Sequence, residues 1–314
     1  MKIKMKLLLV MLSLPSLAWS FDEPAVNLGG TSFFDGAPLP GGPGFYAVEY
    51  LSYSTTQKLL DNNGNKLSFP STQDISVFAP ITQLIYVPEN GKFGNKQLGF
   101  QMLLPWLANV HVDDGMNNAV LKGHSGIGDV SAGVSLQFDP IMGEHGPLFS
   151  QRFELQIIAP TGSYDRTATV NPGSNFWSFD PYWAFTAWAT ENLSFSSRVS
   201  YLWNGRNTSP SSAFGTDVTS TQAGQALHAN FAAEYVINPT WTVGASGYWL
   251  QQITDTKVNG ADVEGRRERV VGLGPEVMMR LSPNDLVFVN YYQEFDVRNR
   301  AQNSKIQLRF DHHF

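Results

Sequence analysis

The segment Lys305-Ile306-Gln307-Leu308-Arg309-Phe310-Asp311-His312-His313-Phe314 alternates strictly, with Ile306, Leu308, Phe310 and Phe314 on one face and Lys305, Gln307, Arg309 and Asp311 on the other. A period of two is that of a half-buried β-strand. Soluble proteins rarely finish on a long amphipathic strand with a terminal aromatic residue, whereas bacterial outer-membrane barrels commonly do. In such a barrel the usual arrangement inverts: apolar positions face lipid and charged positions face the interior.

Residues 1–20 read as a secretory signal. Lys2, Lys4 and Lys6 precede the apolar run from Leu7 to Leu14, and Ala18 and Ser20 place the cleavage after Ser20. That run is shorter than the ~20 residues a membrane-spanning helix needs, and no other apolar stretch approaches that length. Cysteine is absent, which removes disulfides, thiolate metal sites and cysteine nucleophiles together. The chain carries 21 basic against 27 acidic residues, and loss of the signal lysines makes the balance more negative still, which argues against a nucleic-acid partner. Charged residues are 15%, against roughly 25% in soluble domains, while aromatics reach 13%. Few charges with many aromatics suit a wall whose outer face must be apolar.

Alternating segments lie near 44–54, 75–88, 95–111, 126–138, 150–160, 176–190, 192–204, 222–237, 240–254, 267–282, 285–297 and 303–314. The spacing therefore predicts an all-β, transmembrane antiparallel β-barrel of about 12 strands over 44–314. The links Thr190-Glu191-Asn192, Asn238-Pro239 and Ser282-Pro283-Asn284 are short, whereas 55–74, 112–125, 161–175 and 205–221 are long and polar. Short turns alternating with long loops form the outer-membrane pattern, with the turns in the periplasm. It predicts that Phe21 and Phe314 both lie in the periplasm.

Leu98, Phe100, Met102, Leu104 and Trp106 form one expected lipid-facing row, and Val271, Leu273, Pro275, Val277, Met279 and Leu281 form another. Pro275 donates no ladder hydrogen bond, so a bulge is expected there. Trp241 and Trp249 share a face about 26 Å apart at 3.3 Å per residue and suit the two aromatic girdles. Residues 286–292 do not resolve their two faces.

Opposite parity places Glu49, Asp129, Arg152, Glu154, Asp180, Arg198, His228, Glu234, Glu276, Arg280 and Arg309 in the lumen, because an ionised group on the lipid face is costly. They either form a salt-bridge lattice that stiffens the barrel or line the path of a solute. Glu276 and Arg280 lie about 13 Å apart along one strand, so each is expected to pair with a neighbouring strand, Arg309 being one candidate. Twelve strands leave a lumen suited to one small molecule, between the filled eight-stranded barrels and the wide channels of sixteen or more. Residues 21–43, rich in Gly, Pro and apolar groups, read first as a loose periplasmic leader and second as an insert in the lumen.

Three blocks stand in order: Gly126-Ile127-Gly128-Asp129-Val130, Ala159-Pro160-Thr161-Gly162-Ser163-Tyr164-Asp165, and Asn171-Pro172-Gly173-Ser174-Asn175-Phe176-Trp177-Ser178-Phe179. On them the chain resembles the phenol-degradation meta-pathway (MetA-pathway) family of outer-membrane channels, found beside aromatic-catabolism genes. The resemblance implies a barrel in the outer membrane of a Gram-negative bacterium that passively admits small hydrophobic or aromatic compounds, with membrane lipid and the solute as its partners. It transfers no catalytic residue and no cofactor.

Read physically, Gly126 and Gly128 permit a bulge or close strand approach, and Asn171-Pro172-Gly173 is a turn. No helix follows the Gly-x-Gly, so it is not a dinucleotide site. Asp61-Asn62-Asn63-Gly64-Asn65 reads as a surface turn rather than a calcium loop, since its Gly is misplaced and the distal Glu is missing. Two other classes compete: a barrel enzyme of the lipase or protease type, and a structural or adhesion barrel. An enzyme needs a nucleophile beside an oriented His. His111, His124, His145, His228, His312 and His313 stand in no such motif, and there is no Gly-x-Ser-x-Gly elbow. Neighbours on a strand cannot converge on one ion, so His312 and His313 do not suggest a metal site.

Overall fold

The structure is a computed structural model that describes residues 23–67, 74–113 and 121–314. The signal segment, and with it Phe21, lies outside the described residues. Twelve antiparallel strands form the wall. They are β1 (Gly44–Leu59), β2 (Asp74–Val87), β3 (Lys96–Leu107, resuming at Asn109–Asp113), β4 (Val130–Phe138, preceded by Gly126–Ile127), β5 (Gly146–Ala159) and β6 (Ser178–Phe179 and Tyr182–Trp188). The others are β7 (Leu193–Asn204), β8 (Ala226–Val236), β9 (Trp241–Gln252), β10 (Arg269–Arg280), β11 (Asp285–Arg298) and β12 (Ala301–His313). The sheet closes because β1 pairs on both sides, Tyr50 meeting Ile81 of β2 and Arg309 of β12. Closure removes the edge strands, so every wall strand has two neighbours.

The alternation is realised as expected. Phe100, Met102, Leu104 and Trp106 of β3 are exposed, and so are Leu273, Val277 and the flanking Leu281 of β10. Ile306, Leu308 and Phe310 of β12 face outward, while Gln307 between them is buried. β11 resolves into two faces, with Val289, Tyr291 and Phe295 outside and Leu286, Phe288, Asn290, Tyr292 and Glu294 inside.

Pro275 makes no bulge. The β10–β11 register runs from Leu273↔Gln293 to Glu276↔Asn290 without a shift, and the ladder merely omits the pairs between. The missing N–H is met by skipping contacts, which leaves the parity of the rest of the strand intact. The bulge sits instead near the far end, between Arg269↔Arg298 and Val271↔Phe295, where Asp296 takes a φ of 50°.

Of the two readings of residues 21–43, the described part follows the second: residues 23–43 run through the barrel interior. Glu23 accepts a hydrogen bond from Asn204 at the long-loop end, and the segment leaves at Pro43 by the short-turn end, where β1 begins. Residue 23 therefore lies at the end of the barrel opposite Phe314, rather than beside it. Composition misleads here: Gly, Pro and apolar side chains without periodicity look unstructured when no wall is in view, yet backbone groups of Leu28, Gly29, Phe34 and Gly36 bond to inward-facing side chains of the wall.

Candidate functional site

The insert is held along its length by inward-facing side chains. Gly29 is bonded through both its N–H and its carbonyl. Its N–H donates to Asn230 Oδ1 at 2.7 Å, and its carbonyl accepts from Tyr292 Oη and Gln307 Nε2 at 3.0 Å each. Its φ is 77°, and an added Cβ would lie 2.8 Å from the ring of Tyr248 and 2.9 Å from that of Tyr292, so only glycine fits. Lys305 sits beside the same two rings, 4.5 and 5.0 Å from their centroids, and donates to the Leu28 carbonyl. Further down, Ser32 donates to Glu276, and Phe33 packs with Ala232, Met278 and Phe288. The Phe34 N–H donates to Glu234, which also accepts from Ser194 and Ser196.

Asp35 is the charged fastening. Its Oδ1 accepts from Arg152 Nη2 at 2.9 Å and Arg198 Nη2 at 2.6 Å, and its Oδ2 from Arg198 Nε at 2.8 Å. Arg198 stacks over the Tyr182 ring, 4.0 Å from the centroid. The Tyr182 hydroxyl donates to Glu154 at 2.6 Å, Glu154 accepts from Gln101, Gln101 from Gln83, and Gln83 from the Tyr50 hydroxyl at 2.7 Å. A continuous polar belt thus follows the inner wall from β7 to β1. Below it, between the insert and the wall, lies a cavity of about 450 Å³ that reaches the short-turn end. Phe33, Phe34, Met278 and Phe288 are among its apolar lining.

Ten of the eleven candidates project inward, in several different arrangements. Arg152 and Arg198 meet on Asp35. Asp180 and His228 meet each other, with His228 Nε2 2.9 Å from Asp180 Oδ1. Glu154, Glu234 and Glu276 are buried acceptors for the belt, for serines or for the insert. Glu276 therefore meets Ser32 where a cation on a neighbouring strand was expected. Arg309 forks onto Asp311 at 2.8 and 2.7 Å and covers the Phe288 ring at 3.7 Å. Arg280 lines the cavity and has no side-chain partner among the described residues.

Glu49 is the exception. On β1, Tyr46, Val48 and Tyr50 are buried inside while Phe45, Leu51 and Tyr53 are exposed, which puts Glu49 on the outer face. There its Oε2 accepts from Thr82 Oγ1 at 2.7 Å. The parity of its aromatic and apolar neighbours outweighs its own charge, and an acidic group costs less on this face than a cation does.

Asp129 performs a different task. Its Oδ1 accepts from the Gly162 N–H at 2.9 Å and its Oδ2 from the Ser174 N–H at 2.7 Å, with the Ser174 hydroxyl also bonded. The three sequence blocks converge here. A Cβ on Gly162 would lie 2.7 Å from the Gly128 carbonyl carbon and 2.8 Å from Gly173 Cα. The blocks form a loop clasp at the rim, with the exposed Trp177 and Phe179 beginning the outer face just beyond it. The Asp61 turn likewise closes on itself. Asp61 Oδ1 accepts from the Asn65 and Asn63 N–H groups at 2.8 Å each, and these bonds hold its carboxyl below the ordinary range.

Residues 56–310 match the family described as the MetA-pathway of phenol degradation. The fold is similar to that of an outer membrane channel from Pseudomonas putida F1, at 20% identity over 92% of this chain and 100% of that one, with a TM-score of 0.76. Weaker likenesses, each with a TM-score of 0.44, are to a NanC porin (12% identity; 85% of this chain, 98% of that) and to a deletion mutant of the TodX monoaromatic hydrocarbon channel (11% identity; 89% and 93%). No curated protein sequence matches. The family match spans most of the chain and covers all three blocks of the loop clasp, so the chain belongs to the family of the MetA-pathway of phenol degradation.

Proposed function

We propose that this protein is an outer-membrane channel for the passive entry of small hydrophobic or aromatic compounds. The observation that carries the reading is the lumen itself. The insert occupies its centre, the polar belt lines the wall beside it, and what remains is a small, largely apolar cavity rather than a wide aqueous path. Such a space suits one compact apolar molecule better than a hydrated sugar. Family membership supports the aromatic preference, and the Pseudomonas putida F1 protein of similar fold is itself an outer membrane channel. The abundant Tyr and Phe do not bear on it, since a lipid-facing girdle alone accounts for them.

Catalysis is a poorer reading. The His228–Asp180 pair resembles the orienting half of a triad, but no hydroxyl bonds to His228 among the described residues. Uptake by cells decides the matter. A strain lacking the protein should take up a labelled aromatic acid or hydrocarbon more slowly, with a sugar and an amino acid unaffected. Equal uptake of the aromatic with and without the protein would defeat the reading, and equal loss of all three would favour a general pore.

In this reading the long loops face outward and the short turns face the periplasm. A membrane-impermeant thiol reagent on intact cells should label Asn63→Cys and Thr216→Cys, both exposed on long loops. It should spare Glu191→Cys, exposed in the short turn between β6 and β7. Labelling of the Glu191 variant would reverse the orientation.

A further inference from the structure

We propose that the cavity is a binding site for amphipathic monocarboxylates, with the carboxylate held by Arg280 and the apolar body lying on Met278, Leu286 and Phe288 beneath the insert phenylalanines. The inference rests on the reading that this cavity holds the permeating solute, and it narrows the chemical class of that solute.

Four arginines line the cavity, and three are already matched. Arg152 and Arg198 share Asp35, and the fork of Arg309 is filled by Asp311. Arg280 is the remaining one. The ladder puts Leu286 opposite Arg280 and, on its other side, opposite Asp311, which makes Asp311 the inward-facing carboxylate that the ladder brings nearest to Arg280, while Asp285 has the outward parity and is bonded to Ser282 and His312. Both Asp311 oxygens are engaged by Arg309, at 2.8 and 2.7 Å, so Asp311 does not serve Arg280. Arg280 is half-buried at the short-turn end of β10, so its charge is only partly hydrated.

The surroundings fit an anion that carries an apolar body. Met278 lies two residues away on the same inward face, about 7 Å along the strand, which is the span from a carboxylate to the far side of a small ring. Met278, Leu286 and Phe288 are each less than 10% exposed and form a continuous apolar floor. A cavity of about 450 Å³ falls within the range of small-molecule sites. A guanidinium offers a planar pair of donors that matches a carboxylate in bidentate fashion, and such charge-assisted bonds are stronger than neutral ones. A neutral aromatic would occupy the floor and leave Arg280 unmatched. An amine would place a second cation against it.

The test compares benzoate with benzamide, its neutral near-isostere, by equilibrium binding to the purified protein in a non-ionic detergent at neutral pH. Benzoate should bind about tenfold tighter or more, which is what one charge-assisted pair contributes. Arg280→Gln should weaken benzoate binding far more than benzamide binding and so bring the two affinities together, and Arg280→Lys should keep part of the preference. Retained benzamide binding also reports that the variant is folded. Equal affinities in the parent protein, or an undiminished benzoate preference in Arg280→Gln, would overturn the site. Uptake of a neutral aromatic hydrocarbon separates the two ideas. If a cell carrying Arg280→Gln takes it up normally and the deletion strain does not, the channel reading stands whatever becomes of Arg280. If neither strain differs from the parent in uptake of any aromatic, both fail.

Discussion

Asp35→Ala is expected to unfasten the insert and open a wider ion path through the barrel. The substitution leaves Arg152 and Arg198 in the lumen with 14% and 8% side-chain exposure and no shared carboxylate. Removing one partner of a buried ion pair costs about 3–5 kcal/mol, because the remaining charge is left uncompensated. The loss should appear as a lower urea midpoint for the purified protein. It should also appear as a larger single-channel conductance, because residues 32–36 would no longer be pinned across the lumen. A triple variant that removes Asp35, Arg152 and Arg198 together should recover much of the stability without restoring the low conductance. If Asp35→Ala changes neither midpoint nor conductance, the insert is held by its other contacts alone.

The wall of this barrel was legible in the sequence for a simple reason. Lipid outside and a polar lumen inside impose a period of two on every strand, and twelve such segments were visible between Gly44 and Phe314. The interior was legible only where it carried charge. Arg152, Arg198 and Arg309 could be assigned by parity, whereas Tyr50, Gln83, Gln101 and Tyr182, which complete the belt, are neutral groups found on either face of a barrel. Asp35 was missed because its segment has no periodicity against which to read it. A signal did exist: four inward arginines on the wall need counter-charges, and Asp35 is a lone acid in the apolar stretch immediately before β1. Glu49 failed in the opposite sense. Its charge argues for an inward position, whereas Phe45, Leu51 and Tyr53 on the same parity face outward.

The sequence blocks that mark the family lay far apart in the chain, and what joins them is a set of three-dimensional contacts that no spacing displays. Those contacts predict that Asp129→Ala releases the loop clasp. The carboxylate accepts three hydrogen bonds from Gly162 and Ser174, and a bond to a charged group contributes about 1.5–3 kcal/mol. The loss should therefore exceed that of any single bond, although the three are not additive. It should be local, since most of the twelve-strand ladder lies outside the clasp. Added protease should then cleave 160–177 in intact cells expressing the variant, while the barrel keeps its heat-modifiable mobility in gels. Gly162→Val should act in the same direction and more severely. Its side chain would have to displace the backbone of Gly128 and Gly173, which an added Cβ already approaches to 2.7–2.8 Å. Asp129→Asn separates charge from shape: it keeps one acceptor oxygen but presents an amide to the donors of Ser174, so its loops should be intermediate in sensitivity. Resistance equal to the parent in both Asp129→Ala and Gly162→Val would mean that the loops are held by their wider packing, with the convergence of the three blocks incidental to it.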